Sequence, residues 1–256
     1  MIEKKKLGSI NNINLFEVAY KSGKYAVKGC LGVPNETGTL PGILYLRGGL
    51  KKVGMVKKEW VAELAHNGYV VFAPYYRGNE GGEGQEDFCG YDREDAMNGF
   101  DVLAALEETK GKPLHIVGFS RGAVMALFTG MKKTASAIVC WSGVSDMTLT
   151  YKERSDLRKM LRRVTGGDPI TRPLEYEWRT PLKQIGDLKA PVFILHGEKD
   201  EHVSVEHAHR LEAYLKAAGL PVLKQVYPNM PHHFLPPVRQ KAISEMIKWM
   251  DGKNHS

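Results

Sequence analysis

Along the chain, short apolar runs alternate with stretches in which apolar residues recur every three or four positions. The runs fall at residues 25–33, 42–47, 69–73, 114–118, 136–141 and 191–196, with a weaker one at 221–227. Several, such as Val70-Val71-Phe72-Ala73, are continuous rather than alternating, which is how strands buried on both faces read. Between them Trp60, Val61, Leu64 and Ala65 keep helical spacing, as do Ala96, Met97, Phe100, Leu103, Ala104 and Leu106. Residues 205–218 and 238–250 are also expected to be helical. Strands alternating with helices predict βαβ units, and so an α/β protein with a mostly parallel central sheet and helices on both faces.

One region breaks the alternation. Between about 145 and 186 no strand pattern appears, but Leu157, Met160, Leu161 and Val164 lie at i, i+3, i+4 and i+7, and Gly166-Gly167-Asp168-Pro169 stops that helix. The expectation is a small cap inserted over the sheet edge where ligands bind, within a single domain spanning 1–256. A length of 256 residues suits one sizeable core.

Composition adds exclusions. With 43% hydrophobic and 25% charged residues the chain reads as an ordinary soluble globular protein. The N-terminus lacks a secretory apolar run and no stretch reaches a membrane span, which points to a cytoplasmic protein without a membrane partner. Cys30, Cys89 and Cys140 lack metal-ligand spacing and fit buried free thiols. The formal charge of +7 is spread out and carries no recognition motif, so no nucleic-acid partner is expected. A homo-oligomer is compatible with the sequence, which fixes no oligomeric state.

The chemistry concentrates at Gly118-Phe119-Ser120-Arg121-Gly122, between the apolar run at 114–118 and a helix beginning near Arg121. A strand, a tight turn with glycine two positions either side of a serine, and a helix make a nucleophile elbow. The helix N-terminus offers N–H groups to a developing oxyanion. A serine hydroxyl needs a histidine base, and the histidine needs an acid to orient it. Downstream, Asp200 lies just past the run at 191–196, with Glu198 and Glu201 as local rivals, and His232 and His233 precede the final helix. Arg47-Gly48-Gly49 follows an earlier strand, where a second oxyanion donor is needed. The guanidinium of Arg47 could pair with a substrate carboxylate, and six basic residues within 151–163 could steer anions toward it.

Taken in order, "YLRGG", "PYYRGNEGGEG", "GFSRG", "APVFILHGEKDEHV" and "YPNMPHHF" resemble the α/β-hydrolase superfamily, and more closely the catalytic domains of the prolyl oligopeptidase and acylaminoacyl peptidase group, from about Lys28 to Met250. The resemblance implies an α/β-hydrolase fold with Ser120 as nucleophile, Asp200 as acid and His232 as base. It also implies oxyanion donors at Gly49 and Arg121, with Leu50 in reserve. No metal or organic cofactor is implied. The larger peptidases of the group carry an N-terminal β-propeller over the site. Only a short segment precedes the resemblance here, so a stand-alone serine hydrolase is expected, cleaving small carboxylic esters ahead of short peptides. A catalytically silent binding protein is the rival outside enzymes.

Overall fold

The computed structural model describes residues 3–254. Among the described residues nine strands, β1 (Glu3–Ile10), β2 (Ile13–Ser22), β3 (Tyr25–Pro34), β4 (Gly42–Leu46), β5 (Val70–Pro74), β6 (Leu114–Phe119), β7 (Ala137–Trp141), β8 (Val192–Gly197) and β9 (Val222–Tyr227), form one sheet. Their spatial order is β1-β2-β3-β5-β4-β6-β7-β8-β9. The first three strands run antiparallel and join β5 in that sense, whereas β5, β4 and β6 to β9 are parallel. This mixed sheet, covered by helices on both faces, is the α/β-hydrolase arrangement.

The continuous apolar runs are the inner strands, and all five residues of β4, β5 and β7 are buried. On one face the sheet packs against α1 (Lys58–Ala65) and α8 (Pro236–Asp251), which contribute Val61, Ala65, Ala242 and Met246. On the other it packs against α2 (Arg93–Ala104), α3 (Gly122–Lys132) and α7 (Glu206–Ala217), through Phe100, Leu103, Leu127, Leu211 and Leu215. Each such leucine or phenylalanine contributes about 1.5–3 kcal/mol of burial. Helix α3 is buried along nearly its whole length, which fixes its N-terminus, and the serine just before it, against the sheet.

The pattern does not predict β1 and β2. Strand β2 buries Ile13 and Leu15 toward one face and Val18 and Tyr20 toward the other, so no single alternating stripe marks it. Asn11 and Asn12, at φ 47° and 63°, form the two-residue turn that pairs it with the lysine-rich β1. Cys30, Cys89 and Cys140 are buried free thiols. Among the described residues no helix is long and apolar enough to cross a membrane.

Between β7 and β8 the chain leaves the sheet for α4 (Met147–Glu153), α5 (Arg158–Thr165) and α6 (Pro173–Trp178). Leu161 is the fully buried anchor of α5, and Gly166, at φ 78°, ends that helix. These helices reach from the start of α2, where Arg93 donates to Trp178 O, to the loop after β8, where Arg154 donates to His202 O. Both anchors lie beyond the C-terminal ends of parallel strands, the edge at which open α/β sheets bind ligands. Of the six cations within 151–163, Arg154 pairs with Asp156, while Arg158 and Arg162 donate to Tyr151.

His207, at the start of α7, is 1% exposed, and its Nδ1 accepts from Ser145 N–H at 3.1 Å. Burial, against the pull of Asp146, pushes its pKa down to about 4. The unfolded chain protonates this imidazole below about 6.5, and the folded chain does so only near 4. Stability is therefore full above the unfolded value and falls as the pH drops toward 4, by about 3 kcal/mol for this group. Urea midpoints at pH 7.5 and 4.5 should show a larger drop for the wild type than for His207→Gln. Equal drops would remove His207 from the account.

Candidate active site

Strand β6 delivers Phe119 and Ser120 to the C-terminal edge of the sheet, and α3 begins two residues after the serine. Ser120 sits at φ 54°, a left-handed conformation rare for a residue with a side chain and costing about 1–3 kcal/mol. Three backbone bonds hold it there: Ser120 N–H donates to Trp141 O at 3.0 Å, and Ser120 O accepts from Ala123 and Val144. The flanking glycines are sterically required. A Cβ at Gly118 would lie 2.4 Å from Gly122 O, and one at Gly122 would lie 2.0 Å from Leu46 O. Among the described residues Ser120 Oγ makes no hydrogen bond, and nothing accepts from the N–H of Arg121.

Asp200 lies in the turn after β8. Its Oδ1 accepts from the backbone N–H groups of His202 and Val203, each at 2.9 Å. His232 Nδ1 lies 2.8 Å from Oδ2 and 3.0 Å from Oδ1. Because a carboxylate only accepts, this contact puts the imidazole proton on Nδ1 and leaves Nε2 able to take one. Burial pushes the Asp200 pKa up, but the bonds from His232 and from the two backbone groups outweigh it, so the carboxyl is held below its usual range. His196, which the sequence analysis does not single out, lies 3.5 Å from Oδ2 and is anchored on Val203 O.

The two adjacent histidines occupy different places. His232 is buried, with its ring centroid 5.0 Å from that of Phe119, the residue before Ser120. His233 is exposed, stacks on Phe119 at 5.2 Å and, among the described residues, makes no hydrogen bond with Asp200. Of the local acids, Glu198 accepts from Asn229 N–H and Glu201 from His232 N–H, and neither bonds the imidazole ring.

The loop after β4 comes up against the serine, since a Cβ on Gly48 would lie 2.6 Å from Ser120 Cβ. Gly49 is at φ 64°, and a Cβ there would meet Val53 O at 2.1 Å. Arg47 requires a correction. It is expected from the sequence to contact a substrate carboxylate, yet it is 1% exposed and its guanidinium is used up inside the protein. Nη1 donates to Gly48 O at 2.9 Å, while Nη2 donates to Tyr75 O at 3.0 Å and Glu86 Oε1 at 2.8 Å. The planar fork that suits a carboxylate finds one within the chain.

That carboxylate has a second guanidinium. Glu86 Oε2 pairs with Arg121, which also pairs with Asp92 at 3.2 Å. Both arginines lie over the ring of Tyr76. Burial alone pushes the Glu86 carboxyl up, but the two guanidinium groups and Asn79 hold it below its usual range. Breaking such a buried cluster by deleting one partner costs about 3–5 kcal/mol, because a charge is left unpaired away from water. Glu86 and Asp92 carry no motif signal, and their function depends on packing alone.

A cavity of about 500 Å³ opens between α1 and α8, floored by Tyr45, Val117, Phe119 and Trp141. Neither Ser120 nor His232 lines it, although their neighbours Phe119 and His233 do.

Residues 57–255 match the model of the prolyl oligopeptidase family. The "Uncharacterized peptidase YtmA" of Bacillus subtilis (strain 168) is 44% identical over 256 residues, which cover 99% of this chain and all of that one. The "Uncharacterized peptidase YuxL" of the same organism is 28% identical over 202 residues, 73% of this chain but 30% of the longer relative. Among solved structures, an acylaminoacyl peptidase of Pyrococcus horikoshii superposes with a TM-score of 0.83 at 20% identity, covering 96% of this chain and 42% of that one. Acetyl xylan esterase 1 of Thermoanaerobacterium sp. JW/SL YS485 superposes with a TM-score of 0.74 at 11% identity, covering 96% and 87%. At such identities the structural likenesses show the fold.

Proposed function

The chain belongs to the prolyl oligopeptidase family and is a serine hydrolase, and from that premise we propose that Ser120, His232 and Asp200 carry out acyl transfer on short peptides. The observations that support these roles best are the 2.8 Å contact of His232 Nδ1 with Asp200 and a serine at φ 54° whose Oγ makes no hydrogen bond among the described residues.

In the proposed reaction Oγ attacks the substrate carbonyl as His232 Nε2 takes its proton. The N–H groups of Arg121 and Gly49 receive the oxyanion. Collapse breaks the C–N bond, His232 gives its proton to the departing amine, and an acyl ester on Ser120 remains. Water, deprotonated by His232, then attacks that ester and regenerates the serine. Asp200 keeps the imidazole in the productive tautomer and stabilises the imidazolium. The Ser120–His232 bond forms with substrate present, since catalytic contacts tighten in the Michaelis complex.

A second reading, hydrolysis of small carboxylic esters, uses the same acyl-enzyme with an alcohol as leaving group. The same fold occurs in acetyl xylan esterase 1, nearly nine-tenths of whose chain is covered by the superposition. Parallel measurements of kcat/KM on short aryl esters and on peptide anilides decide between the two. The peptidase reading expects anilide turnover well above the Ser120→Ala background. Ester turnover with anilide rates at that background would replace it with the esterase reading.

A further inference from the structure

We propose that Arg47 and Glu86 are positioning residues that set which way the Gly48–Gly49 peptide faces, and so whether the N–H of Gly49 is presented to the oxyanion. The inference rests on the proposed acyl-transfer reading and adds a device that holds its oxyanion hole open.

The chain contains no cis peptide bonds among the described residues, so the carbonyl of Gly48 and the N–H of Gly49 point in opposite directions across one plane. Arg47 Nη1 holds Gly48 O at 2.9 Å. That bond turns the carbonyl toward the buried guanidinium and the Gly49 N–H away from it. Among the described residues nothing accepts from Gly49 N–H. Glycine at both positions would allow this peptide to rotate, because glycine accepts φ of either sign. A rotation by half a turn would place a carbonyl oxygen where the donor is needed, and the hole would repel the charge it must stabilise. The bond from Arg47 opposes that rotation.

Glu86 fixes the guanidinium in turn. Its Oε1 accepts from Arg47 Nη2 at 2.8 Å, from Lys51 N–H at 2.9 Å and from Asn79 Nδ2 at 2.6 Å. Its Oε2 pairs with Arg121, whose backbone N–H is the other proposed donor. One buried carboxylate therefore ties the loop carrying Gly49 to the residue after the nucleophile. A lysine at position 47 could keep the ion pair with Glu86, but an ammonium lacks the planar fork that reaches Gly48 O, Tyr75 O and Glu86 together.

The test compares wild type, Arg47→Lys, Arg47→Met and Glu86→Gln on an activated ester, with inhibition by a substrate-like boronic acid, whose tetrahedral serine adduct uses the oxyanion donors. Positioning predicts that Arg47→Met loses about 10²–10³ in kcat, the scale for one oxyanion donor, with KM changed less than about threefold. Boronate affinity should fall in parallel with kcat. Arg47→Lys should melt close to wild type and still lose at least about tenfold in both quantities. If Arg47→Met is too unstable to assay, Arg47→Lys decides alone. The proposal is overturned if folded Arg47→Lys keeps wild-type kcat and boronate affinity, or if the losses appear in KM alone. A failure of the acyl-transfer reading would look different, since wild type itself would then form no serine adduct.

Discussion

Ser120→Ala is expected to lower kcat by about 10⁶, the scale on which a serine protease loses activity when its nucleophile is removed, and to do so without disturbing the fold. What survives such a change is the catalysis that oxyanion donors and binding supply, about 10³–10⁴ over water. The size of the loss follows from the mechanism, because without Oγ no acyl-enzyme can form. The intact fold follows from the contacts. Among the described residues Ser120 Oγ makes no hydrogen bond that alanine would forfeit, and the three backbone bonds that hold φ at 54° are indifferent to the side chain. Steady-state rates and thermal melts on the same preparation check both halves. A variant that melts like wild type and keeps more than about one hundredth of its rate would move the chemistry to another residue.

His232→Ala should cost about 10⁴ or more in kcat, and His233→Ala less than about tenfold. The contrast comes from two neighbouring residues of the same type in different surroundings. His232 is buried with its Nδ1 2.8 Å from Asp200, whereas His233 is exposed, stacks on Phe119 and meets the His232 ring edge-on. The first loss should be accompanied by lower stability, since Asp200 keeps its two backbone donors but loses its ring partner. Hydrogen bonds to charged groups contribute about 1.5–3 kcal/mol. Rates for the two variants side by side give the answer, and a reversal of the two losses would assign the base to His233.

The elbow is legible in the sequence because its constraints are local. Gly118 and Gly122 are demanded by backbone atoms within a few residues or on the adjacent strand, so the motif and its strand-helix context carry the geometry together. The inner strands are legible because they are buried on both faces and therefore uniformly apolar. Asp200 and His232 follow from their places after β8 and β9, although sequence spacing leaves His233 as an equal candidate until the resemblance weighs on it. Arg47 shows the opposite case. An arginine beside a substrate loop reads as a ligand for carboxylates, and it is one, but its carboxylate is Glu86, 39 residues away. Nothing local distinguishes Glu86 from the other acids of a glycine-rich segment. The N-terminal hairpin escapes for a related reason, since β2 divides its apolar residues between the two faces of the sheet.

Whether this chain forms a covalent adduct at the elbow serine is read by intact mass after exposure to a fluorophosphonate probe, with the adduct located by peptide mapping. One phosphonyl group per chain is expected, carried on Ser120 and absent from Ser120→Ala. No adduct on the folded wild type, or an adduct that persists in Ser120→Ala, would contradict that expectation.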